Sequence, residues 1–145
     1  MVPEPVEGRV AITLRVGVYI SRMEILGIAM GGALGSVLRF AAHSGFKVWL
    51  GSAFPFGTIA VNLLGSFLIG LCAAGFDKNW PEIRPLVITG FLGGFTTFSA
   101  FSLENFMLFR EGRIVPLAIN IGLGVFGGLF LAFAGFSWGR SLCNS

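Results

Sequence analysis

The alternation of charged and uncharged stretches divides the chain before any motif is considered. Residues 48–76 lie between Lys47 and Asp77 without an ionisable side chain; so do residues 85–103, between Arg84 and Glu104, and residues 114–139, between Arg113 and Arg140. Each window is long enough for a membrane-crossing helix, which takes roughly 20 residues. A fourth apolar stretch runs from Ile25 to Ala42, starting after Glu24 and ending near Arg39. The pattern predicts four transmembrane helices joined by short loops, spanning residues 24–140, with a short tail over residues 141–145. His43 is expected in the first loop. The opening stretch, "MVPEPVEGRVAITLRVGVYISRMEIL", is polar at first and then broken by Arg15 and Arg22. It is too interrupted for a span and lacks the continuous apolar core of a secretory signal. Residues 1–23 are expected to form an extension, with Met23 as an alternative start.

Composition agrees with the windows. Of the 145 residues, 54% are hydrophobic and only 12% charged, and the mean hydropathy is +0.84; soluble domains are about a quarter charged. The net charge of +3 comes from scattered Lys and Arg, with no nucleic-acid stripe or polybasic patch among them. Cys72 falls in the second apolar run and Cys143 in the tail, so two plain thiols are expected rather than a disulfide framework. Near the span ends, Arg22, Lys78, Arg84 and Arg140 fall on one side, and Arg39, Lys47, Arg110 and Arg113 on the other. Because positive charge sets orientation, so even a balance, which Arg9 and Arg15 of the extension would tip, leaves two readings open: insertion both ways up, with an antiparallel homodimer, or a weak bias settled by other factors.

Polar residues at membrane depth carry the remaining information. Thr58, Asn62 and Ser66 recur every four residues and share one face of the second span. They read either as a hydrogen-bonding stripe or as inter-helix glue worth about 0.6 kcal/mol per bond. Asn120 is the one such amide in the fourth span. The third window holds "GFLGGFTTFSAFS", residues 90–102, with three glycines, four hydroxyls and four phenylalanines. A Gly93-Gly94 pair followed by Thr96-Thr97 is a poor helix interior, and non-helical backbone at membrane depth survives only inside protein or along a watery cavity. A break there would free carbonyl oxygens for a small cation and turn the next half-helix's amides toward an anion. The alternative is a continuous packing stripe of Phe91, Phe95 and Phe98 facing lipid. Gly27, Gly31 and Gly35, and Gly124 and Gly128, are spaced for close helix approach, with the partner helix unspecified. "GLGVFG" at 122–127 matches a dinucleotide fingerprint by letter but lacks the strand and the later acid. No catalytic set is present in the windows, which argues against an enzyme.

"GGALGSVLRF" (31–40), "GTIAVNLLGSFLIG" (57–70) and "GFLGGFTTFSAFSLE" (90–104) together resemble the Fluc/CrcB fluoride channel family, over about residues 24–138. The resemblance implies an all-α integral membrane protein of the plasma membrane, with its third helix broken near the middle. It also implies an antiparallel, dual-topology homodimer in the lipid bilayer, with two fluoride pathways and a central structural sodium ion, and no other protein partner. Carried over by position, Phe98 and Phe101 resemble the phenylalanines whose ring edges face the ion, and Asn62 the pore amide, with Thr58 one turn before it. Ser99 and Asn120 fall along the same track. Gly93 and Thr96 resemble the backbone donors to sodium. Arg39 closes the first motif, and Glu104, just beyond the third, is a candidate gate or vestibule residue. The fourth span departs from the family pattern: Gly124 and Gly128 stand where members often carry hydroxyls. The competing expectation is a small proton-coupled multidrug-type transporter, which needs a membrane-embedded carboxylate; Glu104, at the border of the third window, is its one candidate.

Overall fold

The computed structural model describes residues 21–79 and 83–143; most of the expected N-terminal extension lies outside them. The described residues hold four helical segments long and apolar enough to cross a membrane: Arg22–Leu50, Phe56–Gly75, Pro85–Arg110 and Ile114–Cys143. We refer to them as the first to fourth spans.

The first span opens with a reciprocal cap. The Ser21 hydroxyl accepts from the Glu24 amide at 3.1 Å, and the Ser21 amide donates to the Glu24 carboxylate at 2.7 Å. Two donors that the helix start leaves unpaired are thereby satisfied, and the acid sits where the helix dipole favours it. The span does not stop near Arg39 as the charge pattern predicts. It runs to Leu50 and ends at Gly51, whose φ of 77° breaks the helix. His43 is consequently helical and not in a loop. No residue between Arg39 and Gly51 enforces a stop, and Phe46, Val48, Trp49 and Leu50 keep the stretch apolar. The second span begins after the turn at Pro55 and its helix continues to Asn79.

The third span is two helices in line. Pro85–Leu92 is wound as a π-helix and passes into one short α-turn, Gly93–Phe95. Thr96 and Thr97 are extended, with ψ of 159° and 118°, and a new helix runs from Phe98 to Arg110. The expected break exists, but the threonines make it. Gly93 stays helical, at φ −63° and ψ −37°. The continuous Phe91–Phe95–Phe98 stripe is lost with it: Phe91 and Phe95 stack with centroids 5.9 Å apart, while Phe98 starts the next helix. Glu104 lies inside this second helix, not at its border. The fourth span carries a π-wound stretch, Leu123–Gly127, between α-helical Ile114–Gly122 and Gly128–Cys143.

Glycines pair the spans. A Cβ on Gly31 would lie 2.8 Å from the Phe91 amide nitrogen, and one on Gly35 the same distance from the Phe95 nitrogen. From the facing side, a Cβ on Gly94 would meet the Gly32 carbonyl at 2.5 Å. The partner of the Gly27–Gly31–Gly35 face is thus the first half of the third span in the same chain. Gly70, Gly135 and Gly139 join the second span to the fourth in the same way, through backbone approach that only a missing side chain permits. The half-helix Phe98–Arg110 is gathered mainly against the start of the fourth span, leaving Phe98, Ser99, Ser102, Leu103 and Phe106 exposed on the single chain.

Candidate functional site: a broken helix held by an amide

The break sets where the polar groups point. Breaking a helix frees backbone groups that lipid cannot satisfy, and two side chains take them up. The Thr97 amide donates to Asn62 Oδ1 at 2.8 Å, and Asn62 Nδ2 donates to the Thr97 carbonyl at 2.9 Å. Asn62 therefore pairs with the extended residue as a second backbone strand would. One hydrogen of its amide remains to donate, and Asn62 lines a cavity of about 310 Å³ with Ser66, Thr96, Thr97 and Phe98. The Thr97 hydroxyl accepts from the Ala100 amide at 3.2 Å, capping the second half-helix. It also lies 3.2 Å from the Ser99 hydroxyl. Thr96 closes the first half: its amide and hydroxyl both donate to the Leu92 carbonyl, at 3.0 and 2.9 Å.

These bonds have a consequence for two carbonyls. In an unbroken helix the Gly93 oxygen would accept from the Thr97 amide, and the Thr96 oxygen from the Ala100 amide. Both donors are diverted, one to Asn62 and the other to the Thr97 hydroxyl. Gly93 and Thr96 therefore present oxygens without their helical partners. Gly93 is exposed, and a Cβ built on it would find only the Ile88 carbonyl, 3.8 Å away.

The two phenylalanines diverge in setting. Phe98 is 79% exposed on the chain, whereas Phe101 is buried at 9%. Their ring centroids are 5.9 Å apart, with planes 40° from parallel. Phe101 packs on the fourth span at Gly124, which also lines the Asn62 cavity.

One turn before Asn62, Thr58 is 1% exposed, and its hydroxyl donates to Glu104 Oε1 at 2.5 Å. Glu104 Oε2 and Arg39 Nε are each buried without a hydrogen-bond partner. Arg39, Thr58, Ser36 and His43 line a second cavity of about 230 Å³. Asn120 is fully buried, and its Nδ2 donates to Asn105 Oδ1 at 2.8 Å. Its own Oδ1 has no partner.

Of the residues singled out in the sequence, Asn62, Thr96 and Phe98 share one cavity, Thr58 and Arg39 line the other with Glu104 bonded to Thr58, and Asn120 stands with Asn105 farther along. Ser99 is tied to the cap. Pattern reading placed Thr97 at the break but missed its cap, although a hydroxyl three residues before a free amide at a helix start is a capping signature. It passed over Asn105, and it set His43 in a loop rather than at the second cavity; the sequence holds no distinctive spacing for either.

Residues 26–136 match the family described as CrcB-like protein, Camphor Resistance (CrcB). The chain is 48% identical over 119 residues to the fluoride-specific ion channel FluC of Rhizobium johnstonii, covering 79% of this chain and 94% of that protein. It is 45% identical over 122 residues to FluC of Aquifex aeolicus, covering 81% of this chain and 98% of the relative. With FluC of Magnetococcus marinus it shares 43% over 121 residues, again covering 81% and 98%. Four membrane-spanning segments, a third one broken at Thr96–Thr97, and a match over most of the length lead to one assignment: the chain belongs to the Fluc/CrcB family, as a multi-pass protein of the bacterial cell membrane.

Proposed function

We propose that the protein is a passive, fluoride-selective ion channel that lets fluoride leave the cytoplasm, and that it works as an antiparallel homodimer with two pathways and a central sodium ion. The observation that carries the reading is the Asn62-clamped break, which gathers an amide, hydroxyls and two phenylalanines without a formal charge among them. The relatives' names, fluoride-specific ion channel, support fluoride as the ion.

The chemistry fits a small, strongly hydrated anion. A pathway for fluoride must replace its water with donors. A buried Lys or Arg would cost several kcal/mol at mid-membrane and bind too tightly for conduction, which needs sites an ion can leave. The free amide hydrogen of Asn62 and the hydroxyl of Ser99 are neutral donors. Aromatic edges carry partial positive charge, so Phe98 and Phe101 stabilise an anion edge-on. Arg39 and Thr58, which is one turn from Asn62, line a cavity suited to a vestibule, and Glu104, bonded to Thr58, is the gate candidate. Asn120, paired with Asn105, is the fourth span's contribution to the track.

A second subunit is supported by what the single chain leaves uncovered. Phe98, Ser99, Ser102 and Gly93 lie on its surface at membrane depth, and the Gly93 and Thr96 carbonyls left without helical partners are poorly matched to lipid. The residues also fit the proposed cation. Sodium is a hard ion, taking neutral oxygens as calcium does, and the Gly93 and Thr96 carbonyls, contributed by both subunits, would hold it. When bound, the ion supplies positive charge that fixes the two breaks against each other. This chain's own part is to keep those oxygens unpaired, which the Asn62 and Thr97 bonds do.

Purified protein in liposomes loaded with fluoride or chloride tests the reading. Fluoride should leave without a proton gradient while chloride stays. Equal rates for both anions, or efflux that follows an imposed pH gradient, would overturn it, and the latter would favour a proton-coupled transporter using Glu104.

A further inference from the structure

The fourth span lacks hydroxyls at Gly124 and Gly128, yet the two glycines meet different neighbours. A Cβ on Gly128 would lie 3.4 Å from the Ser66 hydroxyl oxygen, a contact a small shift relieves. A Cβ on Gly124 would stand 2.5 Å from Phe101 Cε2, 3.1 Å from Cζ and 3.2 Å from Cδ2. Those three atoms form one edge of the ring, so the ring edge lies directly on the bare Cα of Gly124. Gly122, one turn-fraction away, has nothing within 4 Å. The backbone is also irregular here and nowhere else in the fourth span: Gly124 lies within the π-wound stretch Leu123–Gly127. Such turns are rare and frequently lie at functional sites. Finally, Gly124 lines the cavity shared by Asn62, Thr97 and Phe98, so it is wall to that cavity and seat to Phe101 at once.

We propose that Gly124 is a positioning residue of the ion pathway, whose missing side chain seats the Phe101 ring and thereby sets the spacing and tilt between Phe101 and Phe98. The proposal rests on the reading of these two rings as pathway groups. Any side chain at 124 drives the ring edge off the fourth span toward Phe98 and the cavity. A serine there would bring a donor, and its Cβ would meet the same ring edge that an alanine's does.

Gly124→Ala and Gly122→Ala, each reconstituted in liposomes beside the unsubstituted protein, test the idea. The fluoride rate per folded molecule should fall roughly tenfold or more in Gly124→Ala, as small misplacements of reacting groups do. Gly122→Ala should keep the unsubstituted rate. Full flux in Gly124→Ala overturns the proposal. Should that variant fold poorly, the double variant Gly124→Ala/Phe101→Leu decides, because leucine lacks the Cε2 and Cζ atoms that the new methyl meets. Its melting temperature should recover above that of Gly124→Ala; no recovery means the ring is not seated on Gly124. The two readings fail separately: if the unsubstituted protein conducts no fluoride the channel reading falls, while the melting comparison still reports on the ring seat.

Discussion

Asn62 holds the fold at the break, and in the proposed channel it would serve the pathway as well. Two of its polar atoms bond to Thr97, at 2.8 and 2.9 Å, and its remaining amide hydrogen is what a passing anion could use. The distinction changes how substitutions read. Asn62→Asp keeps an acceptor for the Thr97 amide but sets a carboxylate oxygen against the Thr97 carbonyl. Leaving that buried group unpaired costs about 1–3 kcal/mol, so stability and flux should fall together. Phe98→Ile should lose flux while keeping the melting temperature, because Phe98 is 79% exposed on its own subunit. An Asn62→Asp protein that melts with the unsubstituted one would show that the amide does not hold the break. Undiminished flux in Phe98→Ile would remove that ring from the pathway. The polar stripe of Thr58, Asn62 and Ser66 is legible from spacing alone. Its partners are not, because they come from a helix 35 to 46 residues away in sequence.

At the scale of elements, charge-free windows find all four spans but misplace their ends. Arg39, His43, Lys47, Glu104 and Arg110 all lie within helices. A long cationic side chain can run along apolar surface to reach a polar neighbour, and Glu104 has Thr58, so charge need not end a span. Glycine is equally easy to misread. Gly93 and Gly94 look like the cause of the break, yet both are helical; Gly94 serves close approach to the first span, and the β-branched threonines, which favour extended backbone, supply the interruption. Whether a glycine is needed depends on what faces it, which composition does not record. Gly35→Ala would place a methyl 2.8 Å from the Phe95 nitrogen and should destabilise by a few kcal/mol, as overpacking does. Gly45, helical with nothing within 4 Å, should gain about 0.5–1 kcal/mol on becoming alanine. Thermal unfolding in detergent reads both, and equal shifts of one sign would refute the packing account.

For the whole molecule, the open issue is orientation, and the structure refines the charge balance. Arg22, Lys78, Arg84 and Arg140 mark one end of the bundle. Of the opposing four, Arg39 lies well inside the first span with its Nε buried, so among the described residues Lys47, Arg110 and Arg113 are left at the other end. Four against three among the described residues is a weak signal, since orientation normally follows a clear excess. Coulombic help from ion pairs is slight as well: Arg113 and Glu111 meet at 3.5 Å on the surface, where such a pair is worth under about 1 kcal/mol. A chain so nearly neutral in preference should insert both ways up, which an antiparallel dimer requires. Cys143 is a natural reporter, being a free, exposed thiol at the end of the fourth span. With Cys72→Ala removing the other described thiol, a membrane-impermeant maleimide applied to intact cells should label about half of the Cys143 population, and the rest only after permeabilisation. Labelling that is complete or absent in intact cells would mean a single orientation. The two-way pathway would then need a parallel assembly, in which the Gly93 and Thr96 carbonyls of two subunits could not face one another across a twofold axis lying in the membrane plane.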